Sequence, residues 1–204
     1  MNWMISFWCF LPLVPFFFIV WYSQFTASKT IAKASKISTN IISDKVLQAF
    51  LKKVKLESIE VVKSSNYLQN EYVAEEDKIY LSPDTLGSVD AASVALALFA
   101  GAQADAVRKQ DYSPETIQQM RSLESVLFWA TFCLLAFGIM TASIPITVIG
   151  YIVGGIVVAM RAKKRAAFKR IDETAREFLK EFKELTDEHK KLVSHVLDAE
   201  TRLR

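Results

Sequence analysis

The side chains of this 204-residue chain that could do chemistry are few and poorly grouped. His189 and His195 are its only histidines, and they stand six apart. Ligands four apart share a helix face; these two do not, so they read as surface or interface residues. Cys9 and Cys133 each lie inside an apolar run, which favours reduced packing residues over a disulfide or a metal pair. Glu75-Glu76-Asp77 places three acids in succession, but consecutive carboxylates in a strand or turn point different ways, and a solvated loop is expected. Gln103 and Asp105 are polar in an apolar stretch, with no base or nucleophile beside Asp105 within its turn. Gly-rich phosphate loops, Walker motifs and a G-x-S-x-G elbow are absent. No catalytic residue, metal ligand or cofactor is therefore expected.

The element that would have to position such chemistry is the stretch Ser93 to Asp105. It is rich in Ala and Leu, opens behind Ser88 and Asp90 as N-terminal caps, and closes at Arg108-Lys109, all of which favour a buried helix. Upstream, Ser43-Asp44 caps an amphipathic helix in which Val46, Leu47, Phe50, Leu51 and Val54 recur at intervals of three and four. Ile59–Val62 and Lys78–Leu81 read as short strands of a hairpin or three-stranded sheet, with the turn Ala74–Asp77 before the second. Ser113 as N-cap and Pro114 at the first helical position announce another helix, running through Met120 and Arg121 into an apolar segment.

The positive mean hydropathy, +0.20, and an excess of Phe, 14 residues, point to an integral membrane protein. Trp3 to Tyr22 is uncharged and aromatic-rich, about the 20 residues needed to cross a bilayer. Pro12 and Pro15 fall within it, and Trp3, Trp8, Trp21 and Tyr22 would mark its interfaces. A cleaved signal peptide is the competing reading; without a basic n-region or a small-x-small site, an anchor is preferred. Leu123 to Met160 is too long for one span, and Thr141–Pro145 divides it into Leu123–Thr141 and Ile146–Met160. Gly150, Gly154 and Gly155 give the second span a small-residue face, for the preceding span or for a partner protein. Arg161, Lys163, Lys164 and Arg165 follow at once and should stay on the cytoplasmic side, with anionic lipid head groups as a further contact. That puts the N-terminus outside and the C-terminus in the cytoplasm, in a plasma (inner) membrane or its organelle equivalent. The net charge of +3 follows topology and gives no nucleic-acid footprint.

After the spans, Phe168, Ile171, Ala175, Phe178, Phe182 and Leu185 continue into His189, Leu192, Val196, Ala199 and Leu203 at spacings of three and four. This is one apolar stripe on long helical structure, or on two helices if Thr186-Asp187-Glu188 restarts it. It either packs on the central domain or docks a partner. With the three glycines, Phe178, Phe182, Leu185, Leu192 and Val196 are the candidate packing or partner surface.

The order of parts, from about Tyr22 to the C-terminus, resembles the membrane-bound neutral zinc metallopeptidase family. There an N-terminal span, a small αβ region, a strand such as Ile79-Tyr80-Leu81-Ser82, a helix, a membrane hairpin and a charged helix follow one another. In that family the helix carries His-Glu-Ala-Gly-His, two zinc-binding histidines with a glutamate general base. Ala100-Gly101 stand where the family has Ala-Gly, which sets Leu98 at the first histidine, Phe99 at the glutamate and Ala102 at the second histidine. Shifting the register does not restore the motif, since no histidine occurs between Met1 and Glu188. Asp172 matches a family aspartate, but the third ligand position falls near Arg170, a cation that would repel zinc. Leu197-Asp198-Ala199 resembles the beginning of a further family helix, cut short here.

The expected fold is therefore an α+β membrane protein, mainly helical, with three transmembrane helices and a small cytoplasmic domain carrying a short β-hairpin or sheet. Its parts are an N-terminal span (1–22), a degenerate metallopeptidase-like domain (23–122), a membrane hairpin (123–160) and a charged amphipathic tail (161–204). The expected role is that of a catalytically inactive accessory or scaffold subunit of a larger membrane complex, with other membrane subunits as partners. A regulatory pseudoprotease presenting substrate to an active protease or chaperone is the alternative, and an active zinc peptidase with a rebuilt site the third reading.

Overall fold

A computed structural model describes residues 13–66 and 69–204. Its elements in chain order are α1 (Leu13–Ala34), α2 (Ser43–Lys53), β1 (Glu60–Lys63), β2 (Glu71–Val73), β3 (Lys78–Leu81), α3 (Ala91–Arg108), α4 (Pro114–Met140), α5 (Ile144–Glu181) and α6 (Asp187–Leu203). The protein is mainly helical with one small sheet, as expected from its periodicity and caps. The chain divides into two compact units: one combines the described residues up to Ser23 with Glu115–Ala166, the other Gln24–Pro114 with Ala167–Arg204.

In the second unit the strand order is β1-β3-β2. β3 runs parallel to β1, with Val61 opposite Ile79, and antiparallel to β2, with Tyr72 opposite Ile79. Both expected strands form. The true hairpin is β2–β3, a strand of three residues that sequence pattern alone left open. The turn between them carries Asp77 at φ 53°, a left-handed conformation that Asp tolerates better than most residues. Ile79 and Leu81 point into the core, fully buried. Against this face lies α3, which also packs on α2 and α6.

One local reading needs correction, and one left open is decided. Ser43 does not cap α2: Ile42 is the N-cap, with no side-chain hydrogen bond, and the Ser43 hydroxyl donates to the Thr85 carbonyl at 2.5 Å. Asp44 accepts instead from the backbone N–H of Gly87, so both residues tie α2 to the loop before α3. The C-terminal stripe takes the second of its two readings, with the restart at Thr186. α5 stops at Glu181, and Thr186 starts α6 by accepting from the His189 N–H. The break re-phases the pattern: α6 buries Val193, Val196 and Leu197, while Leu192 is half-exposed.

In the first unit, α4 continues from Pro114 to Met140 without interruption, and a turn over Thr141–Ser143 leads into α5. Two helices, α4 and α5, are long and apolar enough to cross a membrane. Only 17% and 11% of their most apolar windows is buried, which is unlike the core helices of a soluble domain. A third such helix is not found among the described residues. The N-terminal span falls partly on α1, and Trp3, Trp8, Cys9 and Pro12 lie outside the described residues. Gly138 and Gly150 hold the hairpin close. A Cβ on Gly138 would meet Thr147 Oγ1 at 2.5 Å, and one on Gly150 would meet the Leu135 side chain at 2.9 Å.

Candidate functional site

α3 begins where Asp90 accepts from the Ser93 N–H at 2.9 Å, while the Ser93 hydroxyl returns a bond to the same carboxylate at 2.7 Å. One orphan backbone N–H at the helix start is thus met, and the Ser93 hydroxyl holds the capping carboxylate in place. From Ala91 to Ala106 every residue but Leu96 is buried. Small side chains make this possible. At Gly101 an added Cβ would stand 2.7 Å from Leu47 Cδ1 and 3.0 Å from Phe50 Cδ1, so α2 rests directly on the α3 backbone.

The positions matched to zinc ligands and base sit in this core. Leu98, Phe99 and Ala102 are each 0% exposed. The Phe99 ring lies 6.2 Å from that of Phe168, and the Arg204 guanidinium sits over it, 5.1 Å from the centroid. Arg170 is not among them: its side chain is 68% exposed, with Asp111 at 3.9 Å. Zinc needs three or four N, O or S donors around one point. Two apolar aliphatics, a phenyl ring and a guanidinium supply none, so these residues do not fit the ion. Among the described residues, no group of three or more His, Cys, Asp or Glu converges elsewhere.

The remaining polar groups of α3 serve their own chain. Gln103 accepts from the Tyr72 N–H at 3.4 Å and donates to the Tyr112 hydroxyl at 3.3 Å, joining the helix to β2 and to the segment before α4. Asp105 is buried and accepts from the Lys109 ammonium at 2.7 Å. In the acidic turn, Asp77 accepts from the Tyr72 hydroxyl at 2.7 Å and from Arg108 at 2.6 Å. The Tyr72 bond, with Arg108, holds the Asp77 carboxyl below the usual range, against a smaller opposing effect of burial. Glu76 has a partner of its own, accepting from the Tyr80 hydroxyl at 2.5 Å.

Asp172, the residue matched to a family aspartate, is buried. It holds Arg176 by both oxygens at 2.8 and 2.9 Å, and Arg176 reaches the Ser194 carbonyl on α6 at 2.9 Å. Desolvation raises the Asp172 carboxyl above its ordinary value, with Arg176 pulling the other way. Its task is to pair two helices. Arg204 is a residue that periodicity could not single out: besides covering Phe99, it bonds Glu200 at 2.6 Å and the Asn70 carbonyl at 2.9 Å.

Much of the candidate partner surface is already engaged within the chain. Phe178 packs edge-on to Phe50 at 5.3 Å, and Phe178, Leu185 and Val196 are buried; Phe182 and Leu192 are half-buried. In the hairpin, Gly150 and Gly154 face the preceding helix, Gly154 with Thr131 at 3.2 Å from a virtual Cβ. Gly155 has nothing within 4 Å. Of the four basic residues after the second span, Arg161 and Lys164 both bind Glu124, at 2.5 and 2.8 Å. Lys163 and Arg165 are exposed.

Comparison with protein families places the chain. The model of the family described as "Putative neutral zinc metallopeptidase" matches residues 9–200. The chain belongs to this family. Neither curated proteins nor solved structures give a match.

Proposed function

We propose that this member of the neutral zinc metallopeptidase family is a catalytically inactive integral membrane protein, an accessory or scaffold subunit of a larger membrane complex. One observation carries the reading: α3 holds Leu98, Phe99 and Ala102, all fully buried, at the positions matched to the ligands and base. Side chains that once had to stay polar are here free to add core. In this reading there are three spans, the N-terminus is outside, and Arg161, Lys163, Lys164 and Arg165 hold the C-terminal side in the cytoplasm. Lys163 and Arg165 are the residues left to meet anionic lipid. Gly155, open on the hairpin, is the best-placed of the three glycines for another subunit.

The pseudoprotease alternative needs a groove above Ala100–Ala104. The approach of Leu47 and Phe50 to Gly101 and the burial of Ala100 to Ala104 count against it. Native mass spectrometry of the full chain, released in mild detergent with subunits and metal weighed together, separates the readings. Defined foreign subunits and no zinc are expected. A zinc-bearing monomer or homo-oligomer with chelator-sensitive proteolysis would overturn the proposal.

A further inference from the structure

The groove between the end of α5 and α6 is lined by cations from both helices. Arg176 and Lys180 stand one turn apart on α5; Lys190 and Lys191 face them from α6, with Ser194 and His195 a turn further on. The concavity measures about 550 Å³, and Asp187 is the one acid in its lining. Arg176 is engaged by Asp172 and the Ser194 carbonyl. The Lys190 ammonium reaches only the Lys180 carbonyl, at 3.3 Å. Lys180 and Lys191 make no side-chain hydrogen bond or ion pair with any described residue. Like charges converging on one hollow repel, and an anion bound between them relieves that repulsion.

We propose that this groove binds a phosphorylated polyol. Lysine ammoniums act on phosphate as mobile point charges, and those of Lys180, Lys190 and Lys191 approach from two sides. The volume falls in the range of sites for single small molecules. Its α5 wall covers only Arg176 to Lys180, roughly 6 Å of helix, which is short for an extended acidic peptide. Asp187 argues further against a bare anion: a carboxylate in the lining repels phosphate and is suited to accept from a ligand hydroxyl, and Ser194, two turns along α6, adds a hydroxyl of its own. A ligand bearing both phosphates and free hydroxyls meets all of these groups. It could be a lipid head group or a free molecule.

The test uses the full chain in detergent and in phosphatidylcholine nanodiscs with or without phosphatidylinositol phosphate. Inositol trisphosphate, which keeps free hydroxyls, and inorganic phosphate are the soluble probes. Calorimetry measures affinity, and acylation of amines, mapped by peptide mass, measures protection of Lys180 and Lys191. Saturable binding of inositol trisphosphate, tighter than inorganic phosphate and protecting both lysines, supports the proposal with a free ligand. Protection only in the phosphatidylinositol phosphate nanodiscs supports it with a head group. The K180E/K191E double variant should lose at least roughly tenfold in affinity, as two charge-assisted contacts become repulsive, while K36E/K52E, with the same change in net charge, should not. Absence of protection in the native chain, equal losses in both variants, or protection by polyglutamate alone would each overturn it. The first of these needs no variant to fold.

Discussion

Replacing Phe99 by Glu would put back, at one position, the residue type the family resemblance assigns there, and the structure says what that costs. The ring is fully buried, with Phe168 on one side and the Arg204 guanidinium on the other. Truncating such a Phe costs about 3–5 kcal/mol, since transfer and cavity terms add. A carboxylate there adds several kcal/mol of desolvation, offset only in part by Arg204, which is already bound to Glu200 and the Asn70 carbonyl. F99E should therefore lose at least about 4 kcal/mol, a large share of a typical folding free energy. F99L, which keeps the site apolar, should lose only about 1 kcal/mol. Thermal unfolding of the detergent-solubilised protein, followed by circular dichroism, would read the first as a fall on the order of 10 °C. Zinc should not recover it. Native-like melting of F99E, or zinc-dependent stabilisation of L98H/F99E/A102H, would refute the argument that this part of α3 is committed to apolar packing.

Three further outcomes follow from separate parts of the chain. E124Q removes the shared partner of Arg161 and Lys164, whose side chains are 33% and 12% exposed; resistance of the hairpin to denaturing detergent should fall, by about 3 kcal/mol if Lys164 is left unpaired, and adding K164M should return part of it. G138A should loosen the same hairpin, because its Cβ would meet the Thr147 backbone N at 2.8 Å, whereas G155A should leave hairpin stability unchanged and any loss of co-purifying subunits would mark a docking face. D77N tests linkage: the folded carboxyl is held low, so its contribution is present above the ordinary Asp range and is lost as pH falls through the folded value. D77N should therefore be less stable than the native chain at neutral pH and equal to it in strong acid, as read by urea unfolding at each pH; a pH-independent difference would refute the assignment.

The elements were legible where one physical signal dominated. The Ala-rich α3, with Asp90 as its cap, and the turn dividing α4 from α5 follow from local chemistry that tertiary packing does not oppose. β2 was not marked, because three residues carry too little alternation to register as a strand. Ser43 shows a different failure. Its type and place suit a cap, but a tertiary acceptor, the Thr85 carbonyl 42 residues away, takes the hydroxyl. On α6, the spacing runs on through Thr186 while Thr186-Asp187-Glu188 offers a restart; the chain does break there, and Val193 and Leu197 join Val196 and Ala199 in the buried face in place of Leu192. At the candidate site, the nature of Leu98, Phe99 and Ala102 could be read directly; the covering of Phe99 by Arg204, 105 positions on, could not.

A site that performs chemistry usually leaves polar groups held short of their best partners, because function and packing make different demands. α3 has the opposite character. Gln103 is used at both ends, Asp105 has Lys109, and the caps at Asp90 and Ser93 answer one another. Among the described residues, no buried side-chain nitrogen or oxygen lacks a partner. The same economy extends to Asp172, whose buried charge is matched to Arg176 and, through it, to α6. Convergent groups without partners occur instead on the surface, at Lys180 and Lys191, where a ligand can arrive without disturbing the core. The distribution fits the proposed role, in which a rigid scaffold binds through its surfaces. It also explains why changes inside α3 should register first as lost stability, and changes in the α5–α6 groove as lost binding.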